Sequence, residues 1–367
     1  MNFLSKKILF FTLCLFLYCA SFSVSFAQDA NQLLQEGVAL HDAGKYEKAL
    51  EKYEEALKLI PKSPVVYYEM ALTYFHKKDY KMCVKYSDKV IKSKSQSTVP
   101  AYIIKGSSLD MMGKTDKSIK FFEKVIKENP KNYLLHYNLA LNYYKVGKPE
   151  KSEENLIKAI GANPEHSSSH LLLGFIEYDK GRKIPSMMAL NYFLLLEPTS
   201  ARSERAIDIL KKQLLANIKK GENNEITISI GGKDDEFAAI EMVMSLAQAS
   251  SFMKPSKEEI EEIVKEEMEN NDTTTTEKEI IIENTPKTEE EIFKDNTQTF
   301  FSFLDAKDKK QNIWWTLYAP LLNQIGESEH IDTFCYWISQ VSNEKAAKWV
   351  EENPEKIMEF KKWLARG

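Results

Sequence analysis

The sequence predicts a mainly α-helical chain, in which a right-handed helical solenoid precedes a small all-helical domain. Two observations predict the solenoid: residues 30–200 repeat with a period of 34 residues, and small residues recur at fixed positions of the repeat. Helical hairpins of this length cannot bury their apolar faces alone, so stacked copies are expected to share one core. A third observation, the high density of aromatic residues from Ile292 onward, predicts the second folded unit.

The solenoid is expected to contain five units of two helices each. They span residues 30–63, 64–97, 99–132, 133–166 and 167–200, with Thr98 as a one-residue insertion. Position 8 of each unit is small enough for two helices to cross closely and reads Gly37, Ala71, Gly106, Ala140 and Gly174. Position 20 has a similar requirement and reads Ala49, Cys83, Ser118, Ser152 and Ser186. These two positions are expected to interlock.

Glycine and proline mark the ends of the predicted helices. Position 15, where the first helix of a unit must stop, is Gly44, Gly113, Gly147 and Gly181, because glycine enters the left-handed region easily. Lys78 is the exception in the second unit. Pro61, Pro130, Pro164 and Pro198 end the other four units, and the second unit lacks this proline as well.

With these residues in phase, the pattern resembles the tetratricopeptide repeat, as in GVALHDAGKYEKALEKYEEALKLIP of the first unit. The resemblance covers a little under half of the chain. It implies that the first helix of each unit faces a concave groove, chiefly through positions 2, 5, 9 and 12. Family members that grip a terminal carboxylate use lysine and asparagine in the groove, whereas the residues here are mostly apolar, so that ligand is not expected.

The groove positions favour a protein or peptide partner. Tyrosine and phenylalanine recur there, and such rings offer a large apolar area at a low cost in side-chain entropy. We expect a peptide or helix to bind in this groove. The expected groove residues are Leu34, Val38, Tyr68, Leu72, Phe75, Ile103, Tyr137, Leu141, Tyr144, Leu171, Phe175 and Tyr178. The alternative is that these rings pack against neighbouring units, or that the cap and the C-terminal domain fill the groove.

Three further segments are predicted after the repeats. Residues 201–220 carry Ile207, Leu210, Leu214 and Ile218 at helical spacing, which is typical of a capping helix and completes a first domain over 28–220. Residues 221–253 are expected to form a strand–turn–helix insert, with a strand over 225–230, a turn at Gly231-Gly232 and a helix over 236–251. Residues 254–291 are strongly acidic and predict a partly disordered linker. An exposed partner-docking helix over 256–268 is the alternative.

Residues 292–367 are expected to form the small helical domain. Apolar residues fall on one helical face over 331–341, and Ser342 is expected to cap the next helix. Asn353 and Pro354 predict the start of another helix, with Ile357, Phe360 and Leu364 as its buried stripe. No family is recognised in this part, so it has no predicted activity.

The first 27 residues predict a signal peptide. Lys6 and Lys7 precede an apolar run, and Ser25 and Ala27 suit cleavage before Gln28. We expect an exported chain, periplasmic, extracellular or associated with the cell envelope, with no integral membrane span after cleavage. An uncleaved anchor is the alternative. Lipid attachment at Cys19 is not expected, because Tyr18 is too large for the residue before the cysteine.

Composition excludes several classes of function. Without the two signal lysines the formal charge falls from −4 to −6, and no basic stripe is evident, so a nucleic acid partner is not expected. Cys83 and Cys335 lie far apart in sequence and predict no disulfide framework. His166 and His170 stand four apart, but His170 occupies a packing position, so no metal site is expected.

Neither catalysis nor a cofactor is predicted. Residues 231–237 resemble the GGDEF signature of cyclic dinucleotide synthases, but two extra residues interrupt it. His330 and Cys335 point in different directions on a helix, so they do not form a nucleophile–base pair. The sequence therefore predicts a non-enzymatic interaction scaffold. The alternatives are a structural subunit of an envelope assembly and an enzyme housed in the C-terminal domain.

Overall fold

The computed structural model describes residues 28–215, 218–220, 226–228, 236–237, 240–241, 244, 288–304 and 311–366. Two compact units divide the chain, Met1–Asn163 and Pro164–Gly367. The predicted signal peptide, the predicted turn at Gly231-Gly232, most of the predicted helix over 236–251 and residues 254–287 of the predicted linker lie outside the described residues.

The described part of the first unit consists of helices in antiparallel hairpins, as the 34-residue period predicts. Their bounds are 28–42 (α1), Tyr46–Leu59 (α2), Pro64–His76 (α3), Tyr80–Ser93 (α4), Thr98–Met111 (α5), Thr115–Glu128 (α6), Tyr133–Lys145 (α7) and Pro149–Ala162 (α8). Consecutive helices from α2 to α8 pack against each other, and α3 and α7 both contact α5. The inserted Thr98 is absorbed as the first residue of α5.

The predicted interlock between positions 8 and 20 is confirmed. A Cβ atom on Gly106 would lie within the ring of Phe122, and one on Gly37 would overlap the ring of Tyr53. The hydroxyl of Ser118 donates a hydrogen bond of 2.7 Å to the carbonyl of Gly106, across the same crossing. Ser152 repeats this bond to Ala140 at 2.8 Å. The crossings are therefore fixed by close packing and by a buried hydrogen bond together.

The turn within each hairpin uses a left-handed residue, as predicted for position 15. Gly44, Gly113 and Gly147 have φ of 72°, 72° and 69°. Lys78 adopts the same conformation with φ of 62°, although it carries a side chain. The conformation is therefore imposed by the repeat, since a residue that disfavours it adopts it too.

The second unit begins with the fifth hairpin and its cap. These helices span Ser167–Asp179 (α9), Lys183–Leu196 (α10) and Ala201–Leu215 (α11). The strands Ile218–Lys220 (β1) and Ile226–Ile228 (β2) then pair antiparallel. The later helices are Glu289–Ser302 (α12), Ala319–Glu327 (α13), Ile331–Ser339 (α14), Glu344–Glu352 (α15) and Pro354–Leu364 (α16), and a π-helical turn spans Trp314–Tyr318.

The cap and the strand that follows it differ in one respect from the prediction. Ile207, Leu210 and Leu214 of α11 are buried, as expected of a cap. The prediction that Ile218 continues this helix is wrong, because Ile218 pairs with Ile228 in the two-stranded ladder. Backbone pairing with β2 satisfies the main chain of this β-branched residue, which fits a strand better than a helix end. The predicted strand is confirmed at Ile226–Ile228.

The C-terminal helices pack on the fifth hairpin. The hydroxyl of Tyr318 lies 2.7 Å from Nδ1 of His170 in α9, and the indole of Trp337 donates a 3.1 Å hydrogen bond to the carbonyl of Leu195 in α10. The sequence grouped residues 28–220 as one domain, whereas these contacts join the fifth hairpin to the helices after residue 288.

Helix starts in the C-terminal part follow local capping chemistry. Thr288 forms a capping box with Glu291, so α12 begins three residues before the predicted boundary at 292. Asn343, not the predicted Ser342, caps α15 by accepting a hydrogen bond from the amide of Ala346 at 3.1 Å. Ser342 instead accepts a hydrogen bond from Lys211. Pro354 opens α16 as predicted, with Ile357 and Phe360 buried and Leu364 half-buried.

Candidate protein-binding face

The candidate site in the first unit is the surface formed by positions 2, 5, 9 and 12 of α1, α3, α5 and α7, called the groove face below. Helix α5 lies between α3 and α7, so residues from three repeats are brought onto adjacent helices. The 34-residue period places equivalent side chains at the same level on each helix. The predicted residues of the first four repeats therefore line helices that are neighbours in space.

Most groove-face residues are half-buried because they also support the core. Tyr68, Leu72 and Phe75 pack partly against the core cluster around Tyr53 and Met70. Leu34 and Val38 do the same, and Ile103 packs against the neighbouring core cluster around Phe122. Burial raises the pKa of Tyr68, which therefore stays neutral over the physiological range. Packing against neighbouring units thus accounts for part of the aromatic content of this face.

Three apolar side chains of the groove face remain open to solvent. Leu141 and Tyr144 of α7 are each 37% exposed, and Val65 of α3 is 47% exposed. Tyr137, one turn before Leu141, is half-buried beside them. Large apolar side chains exposed together are typical of surfaces that bind protein partners. Leu141 and Tyr144 are close neighbours on α7, whereas Val65 lies on α3.

Polar contacts fix the spacing between the helices of the groove face. Lys145 of α7 forms an ion pair of 3.0 Å with Asp110 of α5. Ser107 donates a hydrogen bond of 3.4 Å to Oδ1 of Asn138 across the same helices. Both contacts lie beside Leu141 and Tyr144 along α7, so they hold the exposed side chains on a defined backbone.

His41 closes the groove face at the first repeat. Its Nδ1 lies 2.7 Å from the hydroxyl of Thr73 in α3, and its ring packs against that of His76 at 4.8 Å. Burial, together with the neighbouring His76, lowers the pKa of His41. A neutral imidazole therefore connects α1 to α3 at this position, where the pattern predicted a groove residue.

The fifth repeat presents less apolar surface than its sequence predicts. Leu171 is only 7% exposed, so it offers almost no surface to a partner. Phe175 lies under the guanidinium of Arg205 from the capping helix, 4.6 Å from the ring centre. Tyr178, at 40% exposure, remains open to solvent. The cap therefore covers part of this repeat's groove positions, which was one of the alternatives that the sequence left open.

The histidines that stand four apart are used for packing. His170 accepts a hydrogen bond from the hydroxyl of Tyr318 at Nδ1. Its Nε2 donates a hydrogen bond of 2.7 Å to the carbonyl of Pro164. Its ring stacks on Tyr192 at 4.3 Å, and burial lowers its pKa to about 4. His166 instead contacts the hydroxyl of Ser169 at 2.8 Å. Across the described ranges, no group of three or more potential ligands could hold a metal ion.

Both cysteines of the described chain are buried free thiols. Burial is the main cause that raises the pKa of Cys83 and of Cys335. Their thiolate forms are therefore disfavoured at neutral pH, and neither cysteine has the environment of a nucleophile.

The described end of the GGDEF-like segment packs against the C-terminal part. Glu236 accepts hydrogen bonds from the indole of Trp315 at 2.9 Å and from the amide of Asn312 at 3.3 Å. The ring of Phe237 stacks on Trp315 at 5.2 Å. These two residues have packing contacts; Gly231 to Asp235 lie outside the described residues.

Sequence reasoning missed a basic stripe on the second repeat. Lysines 81, 85, 89 and 92 of α4 recur at helical spacing around one shallow depression. The acid among them, Asp88, is engaged by Lys105 at 2.6 Å. Lys89 lies 4.4 Å from the ring centre of Tyr86, and burial lowers its pKa. The expectation that no basic stripe is present is therefore wrong. The helical spacing of the four lysines in the sequence could have revealed the stripe.

Helix hydropathy and family models both describe the class of protein. None of the helices in the described part of the chain is long and apolar enough to cross a membrane. A family model described as TPR repeat matches residues 37–78, and models described as tetratricopeptide repeat match residues 65–97, 99–132 and 137–183.

Curated relatives share the repeats over part of their length. The chain is 28% identical over 124 residues to the anaphase-promoting complex subunit CDC16 of Saccharomyces cerevisiae, covering 32% of this chain and 15% of that protein. It is 27% identical over 163 residues to the BBSome complex member BBS4 of Bos taurus, covering 44% and 30%. The chain thus spans less than a third of the length of these relatives.

Solved structures are similar over about half of this chain. MamA from residue 41 onward, from Desulfovibrio magneticus RS-1, has 24% identity and a TM-score of 0.39, over 46% of this chain and 95% of that chain. TTC0263, a TPR protein of Thermus thermophilus, has 19% identity and a TM-score of 0.42, over 49% and 98%. On the family models and the repeated hairpins described above, residues 37–183 of this chain form tetratricopeptide repeats.

Proposed function

We propose that this protein is an exported scaffold that binds a peptide or helix of a partner protein on the groove face of its first unit. Its tetratricopeptide repeats support the role of a protein-interaction scaffold. The proposal adds the place of binding, the kind of ligand and the location of the protein. The observation that carries it is the exposure of Leu141 and Tyr144 beside half-buried rings on neighbouring helices.

The chemistry of the groove face favours an apolar segment of a partner. Exposed aliphatic and aromatic side chains gain free energy when a partner removes them from water, by about 25 cal/mol for each Å² of apolar surface. The ion pair between Lys145 and Asp110 neutralises charges at the edge of the exposed cluster. An amphipathic helix or an extended apolar peptide fits such a surface better than a charged ligand does.

The proposed location rests on the signal-like N-terminus. Lys6 and Lys7, the apolar run and Ala27 are the features of a cleaved export signal. The names of CDC16 and BBS4 place those relatives in multiprotein complexes, which supports a protein as the partner. A structural subunit of an envelope assembly would use the same face permanently, and co-purification in fixed stoichiometry would identify it.

The proposal is tested by isolating residues 28–367 from the native source with and without changes on the groove face. Leu141→Ala and Tyr144→Ala together remove most of the exposed apolar surface of α7 while leaving its core residues unchanged. We expect the affinity of the double variant for its partner to fall at least about tenfold, because truncating hot-spot residues costs about 2 kcal/mol or more of binding free energy.

The matched control is Met358→Ala, which truncates an apolar residue that is 55% exposed in the second unit. It should retain the partner at the wild-type level. Equal retention by the double variant and the control, with unchanged helicity in both, would exclude the groove face as the binding site.

A further inference from the structure

The second unit contains a cavity of about 530 Å³ that the groove-face proposal does not use. It lies among α11, α12, α14 and α15. Its apolar lining residues are Leu214, Ile292, Phe293, Cys335, Tyr336 and Ala346. Cavities of a few hundred Å³ with mainly apolar walls are typical of small-molecule sites.

The acidic groups of the cavity are already engaged. Asp332 forms an ion pair of 3.1 Å with Lys294. Glu290 accepts a 3.3 Å hydrogen bond from Asn343. The hydrogen bond from its own backbone amide, followed by the one from Asn343, lowers the pKa of Glu290. Glu291 accepts from the amide of Thr288 at 2.7 Å and lies at the positive end of the α12 dipole. The three carboxylates of the cavity therefore already have hydrogen-bond or ion-pair partners within the protein when a ligand binds.

Two hydrogen-bonding groups of the cavity have spare capacity. Lys211 donates to the hydroxyl of Ser342 at 3.1 Å, and no carboxylate of the described chain pairs with it. Asn296 is 5% exposed, and its Nδ2 finds no hydrogen-bond partner among the described residues. A buried amide without a partner is destabilising, and a bound acceptor would remove that cost.

The lining does not form a catalytic set. Cys335 is the one thiol on it, and burial holds the pKa of that thiol far above its ordinary value. Of the two lysines in the lining, Lys294 is paired with Asp332 and Lys211 donates to the hydroxyl of Ser342. The cavity is therefore suited to binding and not to chemistry on a ligand.

We propose that this cavity binds a small anionic amphiphile, with an apolar body between the helices and a carboxylate that accepts hydrogen bonds from Lys211 and Asn296. The apolar walls supply most of the binding free energy through burial. The ammonium of Lys211 selects a carboxylate over a neutral head group through a charge-assisted hydrogen bond.

The test is calorimetric titration of residues 28–367 with dodecanoate and, separately, with dodecanol. We expect saturable binding of one dodecanoate per chain and weaker binding of dodecanol. Lys211→Met should weaken the binding of dodecanoate about tenfold, to the level of the alcohol, since it removes the charge-assisted hydrogen bond to the carboxylate. Lys212→Met is the matched control, because Lys212 is the exposed neighbour outside the cavity lining, and it should bind as the wild type does.

A second readout uses the thiol on the cavity wall. Dodecanoate should slow the reaction of Cys335 with a thiol reagent, located by mass spectrometry, and leave the reaction of Cys83 in the first unit unchanged. The proposal is overturned if dodecanoate shows no saturable binding, or if both lysine variants bind it as the wild type does.

Discussion

Single residues in this protein carry conformations that the repeat imposes. Position 15 requires φ near +70°, which glycine adopts without strain in four hairpins and Lys78 adopts at φ of 62° in the remaining one. The left-handed conformation costs a residue with a side chain roughly 1–2 kcal/mol. Replacing that residue by glycine removes this cost, but glycine loses more backbone entropy on folding, so the net gain in stability is smaller. The pattern identified Lys78 as the exception, but it did not show that the conformation is kept.

Lys78→Gly should therefore stabilise the first unit. We expect the free energy of unfolding to rise by up to about 1 kcal/mol, because the strain is removed and the exposed side chain is not needed for packing. Urea unfolding followed by far-UV circular dichroism measures the change. Gly113→Lys, at φ of 72°, is the reciprocal variant and should lower stability. No gain from Lys78→Gly would mean that the left-handed turn is not strained.

The pH dependence of the second unit should follow His170. Burial lowers its pKa from the ordinary 6.5 to about 4, so between these values the unfolded chain binds a proton that the folded chain does not. Stability from this residue is complete above about pH 6.5 and falls as the pH decreases toward 4, by up to about 3 kcal/mol. Tryptophan fluorescence reports this unit alone, because all five tryptophans lie within it.

Two variants separate His170 from other titrating groups. His170→Gln cannot titrate, so its unfolding free energy should lose this slope between pH 4 and 6.5, whatever its absolute stability. His76→Gln, at an exposed histidine of the first unit, should keep the wild-type slope. An unchanged slope in His170→Gln would show that this imidazole is not the group excluded from protonation.

Helix pairs in this protein are specified by what lies at their crossings. The small residues of positions 8 and 20 were readable from the sequence because they recur in phase. The hydrogen bond from Ser118 to the carbonyl of Gly106 was not, since small size alone does not show which atoms meet. Ile218 shows a second limit of the sequence pattern. Its spacing from Leu214 fits a helix, but Ile218 pairs with Ile228 of β2 in a strand instead.

Two glycine-to-alanine variants test the crossing directly. Gly106→Ala places a methyl group within the ring of Phe122 and should destabilise the first unit by about 1–3 kcal/mol. Gly161→Ala meets no atom within 4 Å in helix α8 and should stabilise the same unit by about 0.5–1 kcal/mol. Both are measured by urea unfolding followed by circular dichroism. A similar effect of the two variants would contradict the interlock.

At the scale of the whole molecule, the repeats were predictable and the C-terminal packing was not. Each hairpin repeats the same local signals, so five copies reinforce one another. The contact between His170 and Tyr318 joins residues 148 positions apart and leaves no periodic trace. For the predicted groove positions, the sequence showed which residues are apolar and on which helix of each repeat they lie. It did not separate exposed Leu141 of α7 from buried Leu171 of α9, since exposure depends on which neighbouring side chains cover each position.

Photo-crosslinking from the groove face in the native source tests whether this face binds a partner protein. A photoreactive phenylalanine analogue is placed at Tyr144, and in a matched chain at Met358, both of which are exposed. We expect position 144 to crosslink to one defined segment of a partner protein and position 358 not to do so. Leu141→Ala should reduce the crosslinking yield at position 144. A partner that co-purifies with both chains without crosslinking at position 144 would contradict it.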